Sequence, residues 1–330
     1  MAFVRRKKVQ KKQSPSVPVM SAPPAYESRV KYDYLDKIKG MFKLFTTVRT
    51  ANLLEGNFRS KSIGKGMEFY DLKEYAYGDD IRDIDWKTSS HANKTLVRRY
   101  ITDRRHNVLF VLDKGKKMMG DTLGGEPKAE LATMIFGTIA YLVERQSADV
   151  AVMYSNDKGI MRSPYRMGVN ELERVMNEYH SQSYQEPYIH LDELLRKAAE
   201  DSRKKRIIVV ITDVAGMDSI SENTFRRLTV NNDVLFAVME DYYYTNANTF
   251  DIDADDYSDP FISGSRDLHL IEADYRKRMF LKLDRMTKKY RIASTFINKE
   301  ENIIKRSVEL FQRYGKKDFG FGRGKYEDFG

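Results

Sequence analysis

Residues 206–213 read Arg-Ile-Ile-Val-Val-Ile-Thr-Asp, a run of branched apolar side chains that stops at a carboxylate. A strand buried on both faces shows no polar alternation, so this run predicts a strand inside a parallel sheet. A second run, Val108-Leu109-Phe110-Val111-Leu112, stops at Asp113 in the same way. Asp113 and Asp213 are therefore the first candidates for a site, because ligands of open α/β sheets lie beyond the carboxyl ends of the strands.

Apolar residues at three- and four-residue steps predict helices between these runs and after them. Strands separated by helices predict a mostly parallel sheet with helices on both faces. Residues 159–162 are predicted to form a hairpin with the strand before them. The predicted helices cover residues 34–50, 128–146, 169–179, 191–203, 221–229, 273–289 and 302–314, and the other strands cover residues 149–154, 233–239 and 292–296.

The composition is that of a globular protein, with 41% hydrophobic residues, 21 Tyr and 17 Phe among 330 residues. The sequence has no apolar run long enough to span a bilayer and no signal-peptide pattern, which favours a cytoplasmic protein. Cysteine is absent, which fits a reducing compartment and excludes thiol catalysis and cysteine–zinc sites.

The net charge of +9 is concentrated near the start of the chain, where six Lys and Arg residues lie within residues 5–12. Without them the chain carries about +3, an ordinary surface balance. Residues 1–27 are also rich in proline and are predicted to be disordered, and so is the Gly-, aromatic- and Lys/Arg-rich segment 315–330. A nucleic-acid-binding protein that uses these two basic tails is one alternative function.

The stretch 64–87 is the most specific part of the sequence. It reads Gly-Lys-Gly-Met-Glu-Phe-Tyr-Asp-Leu-Lys-Glu-Tyr-Ala-Tyr-Gly-Asp-Asp-Ile-Arg-Asp-Ile-Asp-Trp-Lys. In order, spacing and residue type it resembles the signature of a bacterial family known as domain of unknown function 58. That signature has a glycine-rich lead-in, Glu-Phe, Lys-Glu-Tyr, Gly-Asp-Asp-x-Arg and Ile-Asp-Trp-Lys, followed by a von Willebrand factor A-like strand. The resemblance covers residues 50 to about 313.

The resemblance implies a von Willebrand factor A-like domain over residues 105–314. Before it, residues 28–104 are expected to form a helix and a clamp segment (residues 57–104) that pack onto that domain. Family members are associated with MoxR-type AAA+ ATPases in the assembly or maturation of other protein complexes. The resemblance therefore favours a non-enzymatic, protein-binding adaptor or scaffold. Many members have membrane helices before the conserved region, whereas this chain has a basic tail there.

Acidic and basic side chains alternate in the clamp segment around Trp86, the single tryptophan of the chain. Buried charges persist only when they are paired, so we expect an ion-pair network that holds the clamp segment on the α/β body, with Trp86 packed as an anchor. A partner-binding surface is the functional alternative. Its candidate residues are Glu68, Glu74, Tyr75, Asp79, Asp80, Arg82, Asp85, Trp86 and Lys87.

Domains of the von Willebrand A fold often hold a divalent cation with an Asp-x-Ser-x-Ser loop, a threonine and a second aspartate. By the resemblance, Gly115 and Lys117 stand in place of the two serines, and Ile189 stands in place of the threonine. Only Asp113 and Asp213 remain of that set, which is a poor match to the hard oxygen ligands that Mg²⁺ prefers. We expect a degenerate metal site in which the Lys117 ammonium takes the place of the ion.

The sequence signals for other kinds of site are weaker. A metal-dependent hydrolase using Asp79, Asp80 and Asp85 with Asp113 is the alternative enzyme hypothesis. Residues 251–255 have the alternate aspartates of a calcium loop but lack its glycine and glutamate, so a solvated acidic loop is favoured. The five histidines lack metal spacing, and no glycine-rich segment has the context of a phosphate loop. We therefore expect no cofactor.

Overall fold

A computed structural model describes residues 34–45, 59–64, 68–146, 148–165, 168–183, 188–200, 205–246, 249–251, 256–257 and 259–322. The strands are β1 (Arg59–Gly64), β2 (Glu68–Glu74), β3 (Leu96–Arg105), β4 (Asn107–Leu112), β5 (Asp149–Asn156), β6 (Gly159–Arg162), β7 (Arg206–Asp213), β8 (Asn232–Met239), β9 (Phe250–Asp251), β10 (Asp256–Tyr257) and β11 (Ala293–Phe296). The helices are α1 (Tyr34–Phe45), α2 (Trp86–Ala92), α3 (Lys128–Arg145), α4 (Val169–Gln182), α5 (Leu191–Glu200), α6 (Val214–Asp218), α7 (Glu222–Asn231), α8 (Pro260–Gly264), α9 (Arg266–Lys289) and α10 (Ile303–Gly315).

The main sheet has six strands in the order β11-β8-β7-β4-β5-β6. Every neighbouring pair is parallel except β5 and β6, which form an antiparallel hairpin. The predicted α/β architecture with a mostly parallel sheet is therefore confirmed, and so is the predicted hairpin.

The sheet is covered on both faces, as its unbroken apolar strands require. In β7, Ile207, Val209 and Ile211 point into one buried core, which α1, α3, α4 and α10 complete. The alternate residues Ile208 and Val210 point into a second core, which α5, α7 and α9 complete. The strand period of two thus divides one apolar run between two helical layers.

The order of strands reverses at β4. From β4 the chain moves to β5 on one side, and it later returns to β7 on the other side. The carboxyl ends of β4 and β7 therefore border the point where ligands of open α/β sheets bind. Asp113 follows β4 directly and Asp213 ends β7.

The clamp segment contains a small antiparallel sheet in the order β1-β3-β2, with α2 between β2 and β3. We call β1, β2, α2 and β3 the N-terminal sheet module. Its strands are missing from the sequence prediction, because their polar and aromatic residues alternate only partly and β2 carries a register shift between Phe69 and Asp71. The module's ion pairs described below join its own residues, which differs from the expected clamp on the α/β body.

The prediction of an unstructured tail from residue 315 onward is wrong for residues 315–322. Gly320 donates its amide to the carbonyl of Ile292 and accepts from the amide of Ser294, both at 2.8 Å. Arg313 also donates to the Gly320 carbonyl at 2.8 Å, and the Phe321 ring stacks on Phe296 with 4.3 Å between centroids. Edge-strand pairing and ring stacking thus order a segment whose composition suggests disorder.

Several predictions concern residues outside the described part of the chain. These are the basic segment 5–12 with the rest of residues 1–27, most of the calcium-like stretch 251–255, and residues 323–330 of the second basic tail.

Candidate functional site

The two strand ends hold their carboxylates in fixed positions. Asp213 caps α6, since its Oδ1 accepts from the amide of Gly216 at 2.7 Å. Asp113 accepts from the amide of Lys114 at 2.8 Å and from the Thr212 hydroxyl at 2.5 Å. Both aspartate side chains are almost fully buried.

Lys117 joins the two carboxylates. Its Nζ lies 2.6 Å from Oδ2 of Asp113 and 3.3 Å from Oδ1 of Asp213. The residue belongs to a short 3-10 turn (Lys116–Met119) that begins after Gly115, so the loop after β4 folds its lysine back over the strand end. An ammonium therefore bridges the two carboxylates that end β4 and β7.

A second lysine approaches from the other side. Lys128, the first residue of α3, is 2% exposed, and its Nζ lies 2.9 Å from Oδ2 of Asp213. It also contacts Asp241, which follows β8. A cation at a helix N-terminus opposes the helix dipole, so these two carboxylates are needed to stabilise it there. We call Asp113, Lys117, Lys128, Asp213 and Asp241 the charge cluster.

The cluster holds three carboxylates and two ammoniums, so it has one more negative than positive group. The protonation states of its members depend on this excess of negative charge and on burial. Burial raises the pKa of Asp113 despite the attraction of Lys117. Burial also opposes the ionisation of Asp213, but Lys128 and Lys117 together lower its pKa. Although burial disfavours its charge, the two aspartates raise the pKa of Lys117 to about 12. Both lysines are therefore charged at neutral pH, and of the two strand-end aspartates Asp113 takes up a proton more readily than Asp213.

The packing around the cluster leaves little free space. A Cβ atom added to Gly216 would lie 2.2 Å from Asp113 Oδ2, 2.2 Å from Thr212 Oγ1 and 2.4 Å from Lys117 Nζ. On the far side of the strand end, the Tyr179 hydroxyl donates to the main-chain carbonyl of Asp113 at 2.6 Å. Glycine at residue 216 is thus required for the ammonium to reach both carboxylates.

The two other predicted loop positions lie at the same strand ends. Gly115 has a φ of +127°, and a Cβ atom there would lie 2.7 Å from the Tyr188 ring. The Tyr188 ring therefore covers the backbone where the resemblance expects a serine. Ile189 donates its amide to Ser155 Oγ at 3.0 Å and packs into the second core. It offers no side-chain oxygen to this edge of the sheet.

These residues do not fit a divalent cation. The Lys117 ammonium lies between the two carboxylates that would bind it, and Thr212 Oγ1 is already bonded to Asp113. Mg²⁺ needs oxygen ligands and retained water in an octahedral array, and an ammonium repels it. Among the residues with described side chains, no group of three or more His, Cys, Asp or Glu could hold a metal ion.

The acidic residues of the clamp segment are occupied by local contacts. Asp79 accepts from Lys73 at 2.6 Å and from the amide of Ala76 at 2.8 Å. Asp85 caps α2 through the amide of Thr88 at 3.0 Å and pairs with Arg98 at 3.0 Å. These hydrogen bonds lower the pKa of Asp79 and of Asp85.

The remaining charged candidates are arranged in the same local way. Asp80 accepts from the amide and the guanidinium of Arg82, each at 3.1 Å, and Glu74 pairs with Lys94. Lys87 is exposed on α2. Glu68 begins β2, and its side chain lies outside the described atoms. The ion pairs of the module thus join neighbours within its own sheet and turns.

The prediction that Trp86 packs as a buried anchor is wrong. Trp86 is the first residue of α2, and its side chain is 68% exposed. Tyr77 is fully exposed, Ile81 is 63% exposed, and Tyr75 is partly exposed. The charge network of this segment does not bury its aromatic residues, because the network lies among the module's own strands and turns.

Comparison with known proteins identifies the family. A family model described as "Protein of unknown function DUF58" matches residues 71–242, which are 172 of the 330 residues. The chain belongs to the DUF58 family. No curated protein matches the sequence. The matched DUF58 region contains the whole charge cluster together with β3, α2 and most of β2.

Two solved structures are similar to the DUF58 chain. The von Willebrand factor type A from Catenulispora acidiphila is 10% identical with a TM-score of 0.34, and the match covers 66% of this chain and 44% of that one. The PilB minor pilin from Streptococcus sanguinis is 12% identical with a TM-score of 0.36, and the match covers 70% of this chain and 67% of that one. The DUF58 chain thus spans less than half of the Catenulispora protein.

Lys128, Asp241, Thr212 and Tyr179 belong to the site but are missing from the sequence-based candidates. Thr212 could have been found, because it adjoins Asp213 at the end of a predicted strand. Lys128 gives a weaker signal as the basic first residue of a long apolar helix. Asp241 and Tyr179 reach the site only through the order of strands and the packing of α4, which one sequence does not reveal.

Within the described residues of the DUF58 chain, no helix is both long enough and apolar enough to cross a membrane.

Proposed function

We propose that this DUF58 protein is a non-enzymatic, cytoplasmic adaptor that binds a partner protein through its N-terminal sheet module. The observation that supports the proposal is the exposure of Trp86, Tyr77 and Ile81, which lie within ten residues of one another in the chain. Large apolar side chains that cluster on a surface mark interaction sites, and tryptophan and tyrosine are enriched among the residues that carry binding energy.

The module's small core supports the same proposal. Between residues 69 and 100, only Val97 and Asp85 are buried. A small sheet needs a hydrophobic face packed against something to be stable in water. Phe69 and Tyr70 on β2 are each at least half exposed, so the module has apolar area available for a partner.

The local ion pairs fit a binding surface better than a catalytic one. Asp79 and Asp85 have lowered pKa values and accept hydrogen bonds from the backbone, so they are ionised structural acceptors. A general acid at neutral pH needs a carboxyl with a raised pKa. Asp79 and Asp85 therefore do not suit that role, and Asp113, whose pKa burial does raise, is enclosed at the strand end and paired with Lys117.

The partner that the family resemblance implies is a MoxR-type AAA+ ATPase, with assembly or maturation of other complexes as the process. The charge cluster adds a property to this proposal. Because Lys117 already bridges Asp113 and Asp213, partner binding at this protein needs no divalent cation held by those carboxylates.

Affinity capture of the tagged full chain, with and without Mg²⁺-ATP, tests the proposal, and metal analysis is made on chain purified without chelator. We expect a MoxR-type ATPase to be recovered with the unaltered chain and to be lost with the double variant Trp86→Ala and Tyr77→Ala. The matched control is Phe261→Ala, which removes a ring of similar exposure from α8.

Equal recovery by the double variant and by the control would contradict docking through the module. Capture of nucleic acid without an ATPase would favour the basic tails instead. Stoichiometric Mg²⁺ or Mn²⁺ in the purified chain would contradict the cation-free site.

A further inference from the structure

A cleft of about 330 Å³ lies where β11 ends, between the start of α10, the loop before α3 and the last described residues of the chain. The lining of this first cleft includes no residue of the N-terminal sheet module or of the charge cluster. Its lining includes Gly124, Phe280, Phe296, Lys299, Arg306 and Phe321.

One wall of the cleft is aromatic. Phe296 and Phe321 stack with 4.3 Å between ring centroids, and the Phe280 ring lies 5.7 Å from Phe321. Gly124 permits the opposite loop to approach closely, since a Cβ atom there would lie 2.0 Å from the carbonyl oxygen of Asn298. The backbone is thus arranged around a space that suits a flat apolar group.

Both charged residues in the lining, Lys299 and Arg306, are basic. Their acidic neighbours hold them weakly: Glu301 lies 4.0 Å from Lys299, and the pair of Arg306 with Glu309 is about half exposed. Exposed pairs of this kind contribute little free energy, so an anionic ligand can compete for both cations. The N-terminal end of α10 adds positive potential at the same place.

A second cleft lies beside α9. It has a volume of about 120 Å³ and shares Phe280 and Phe296 with the first cleft. Its apolar lining includes Tyr275 and Met279, and its charged lining holds Glu240, Asp241, Glu272 and Arg276. Glu272 pairs with Arg276 at 2.8 Å and Asp241 contacts Lys128 of the charge cluster, so three carboxylates face two cations and a net negative charge remains. We call the two clefts together the groove. Across the two shared phenylalanines, its charged lining changes from basic in the first cleft to mainly acidic in the second.

We propose that this groove binds a peptide segment of a partner protein with the opposite charge order. The segment carries a carboxylate at the Lys299 and Arg306 end, aromatic or large apolar side chains over the phenylalanine wall, and a basic side chain at the acidic end. Two clefts that share an aromatic wall and differ in the sign of their charged residues favour a peptide over a compact small molecule.

The probe is the labelled peptide acetyl-Lys-Ala-Phe-Phe-Glu-amide, titrated against the full chain by fluorescence anisotropy. We expect saturable binding, and a loss of affinity of about fivefold or more when the peptide glutamate is replaced by lysine. Replacing both peptide phenylalanines by serine should abolish binding. A peptide that does not bind at about 1 mM would overturn the proposal.

Variants of the chain locate the site. Arg306→Ala and Lys299→Ala should each weaken binding severalfold, whereas Lys305→Ala, an exposed neighbour on α10, should leave it unchanged. Equal losses of peptide affinity in Arg306→Ala and Lys305→Ala would contradict the groove as the binding site. Circular dichroism of each variant shows whether the fold is retained. The variant Phe321→Leu removes one ring of the aromatic wall while keeping an apolar side chain at that position.

This inference does not rest on the N-terminal sheet module. Trp86→Ala should leave peptide binding unchanged, while the Arg306 variant should leave ATPase capture through the module unchanged. Failure of one proposal is therefore distinguishable from failure of the other.

Discussion

The Lys128 ammonium lies 2.9 Å from Oδ2 of Asp213, and both side chains are almost completely withdrawn from water. This pair links the N-terminus of α3 to the end of β7, so it connects the first layer of helices to the centre of the sheet. Its partner Asp241 is 44% exposed and extends the cluster to the surface.

Removing the buried ammonium should cost stability. Lys128→Met keeps the length and apolar volume of the side chain but leaves Asp213 with Lys117 as its remaining cation. Breaking one side of a buried pair typically costs about 3–5 kcal/mol, and we expect a loss of unfolding free energy in that range. Guanidinium unfolding followed by circular dichroism measures it.

Lys116→Met is the control for this variant, since Lys116 is exposed on the neighbouring 3-10 turn. We expect it to change the unfolding free energy by about 0.5 kcal/mol or less. A loss below about 1 kcal/mol for Lys128→Met would show that the pair is not a structural requirement.

Gly216→Ala tests the close packing around the cluster. Alanine is the better helix former, yet its Cβ would overlap Asp113 and Lys117, so we expect a loss of about 1–3 kcal/mol. Gly40→Ala in α1 is the matched control, because a Cβ atom there meets nothing within 4 Å. It should raise stability by about 0.5–1 kcal/mol. Stabilisation by both changes would mean that the lysine is not held between the carboxylates.

The stability that Lys117 contributes should decrease at alkaline pH. A lysine in the unfolded chain has a pKa of about 10.4, whereas the folded chain raises the pKa of Lys117 to about 12. The stability from this raised pKa is complete below the unfolded value and is lost as the pH rises through the folded value. The stability difference between the unaltered chain and Lys117→Met should therefore shrink across that interval.

Urea unfolding at a series of alkaline pH values measures this difference. The Lys116→Met variant should show no such trend relative to the unaltered chain. A difference between the unaltered chain and Lys117→Met that stays constant through this interval would contradict the bridging role of the ammonium.

Protonation of His180 should lower the free energy of unfolding at mildly acidic pH. Burial lowers the pKa of the His180 ring, which packs edge to face on Tyr34 at 5.9 Å between centroids. A lowered histidine pKa gives stability above the unfolded value, about 6.5, and loses it as the pH falls. The decline in unfolding free energy from neutral to mildly acidic pH should thus be smaller in His180→Phe than in the unaltered chain.

His91→Phe, at an exposed residue of α2, is the control and should keep the full decline. An unchanged acid profile in His180→Phe would assign the loss of stability to other groups.

The sequence predicted the parallel sheet well, because buried strands such as residues 207–211 have no polar interruption. It also placed Asp113 and Asp213 at strand ends, and the structure brings Lys117 between them. The contribution of Lys128 was beyond prediction, since it depends on how α3 packs against β7. The strands of the N-terminal sheet module were missed because Val97 is the only buried residue among the described side chains of β2 and β3, and because the periodicity of β2 is interrupted.

Trp86 shows why an apolar residue in sequence does not determine burial. A tryptophan among paired charges fits a buried anchor and an exposed binding residue equally well, and only the position of α2 decides between them. Gly320 shows that composition alone does not determine disorder, because a glycine-rich segment can be ordered by hydrogen bonds to one edge strand.

The hydrogen bonds between Gly320 and the edge strand β11 also oppose the pairing of this strand with a second molecule. An open edge strand can pair with the same strand of another molecule, which is a common route to aggregation. Here the backbone of Gly320 satisfies the Ser294 amide at that edge, and Phe321 covers Phe296. Proteolytic trimming before residue 318 would remove this cover, so clipped molecules should precipitate more readily than intact ones.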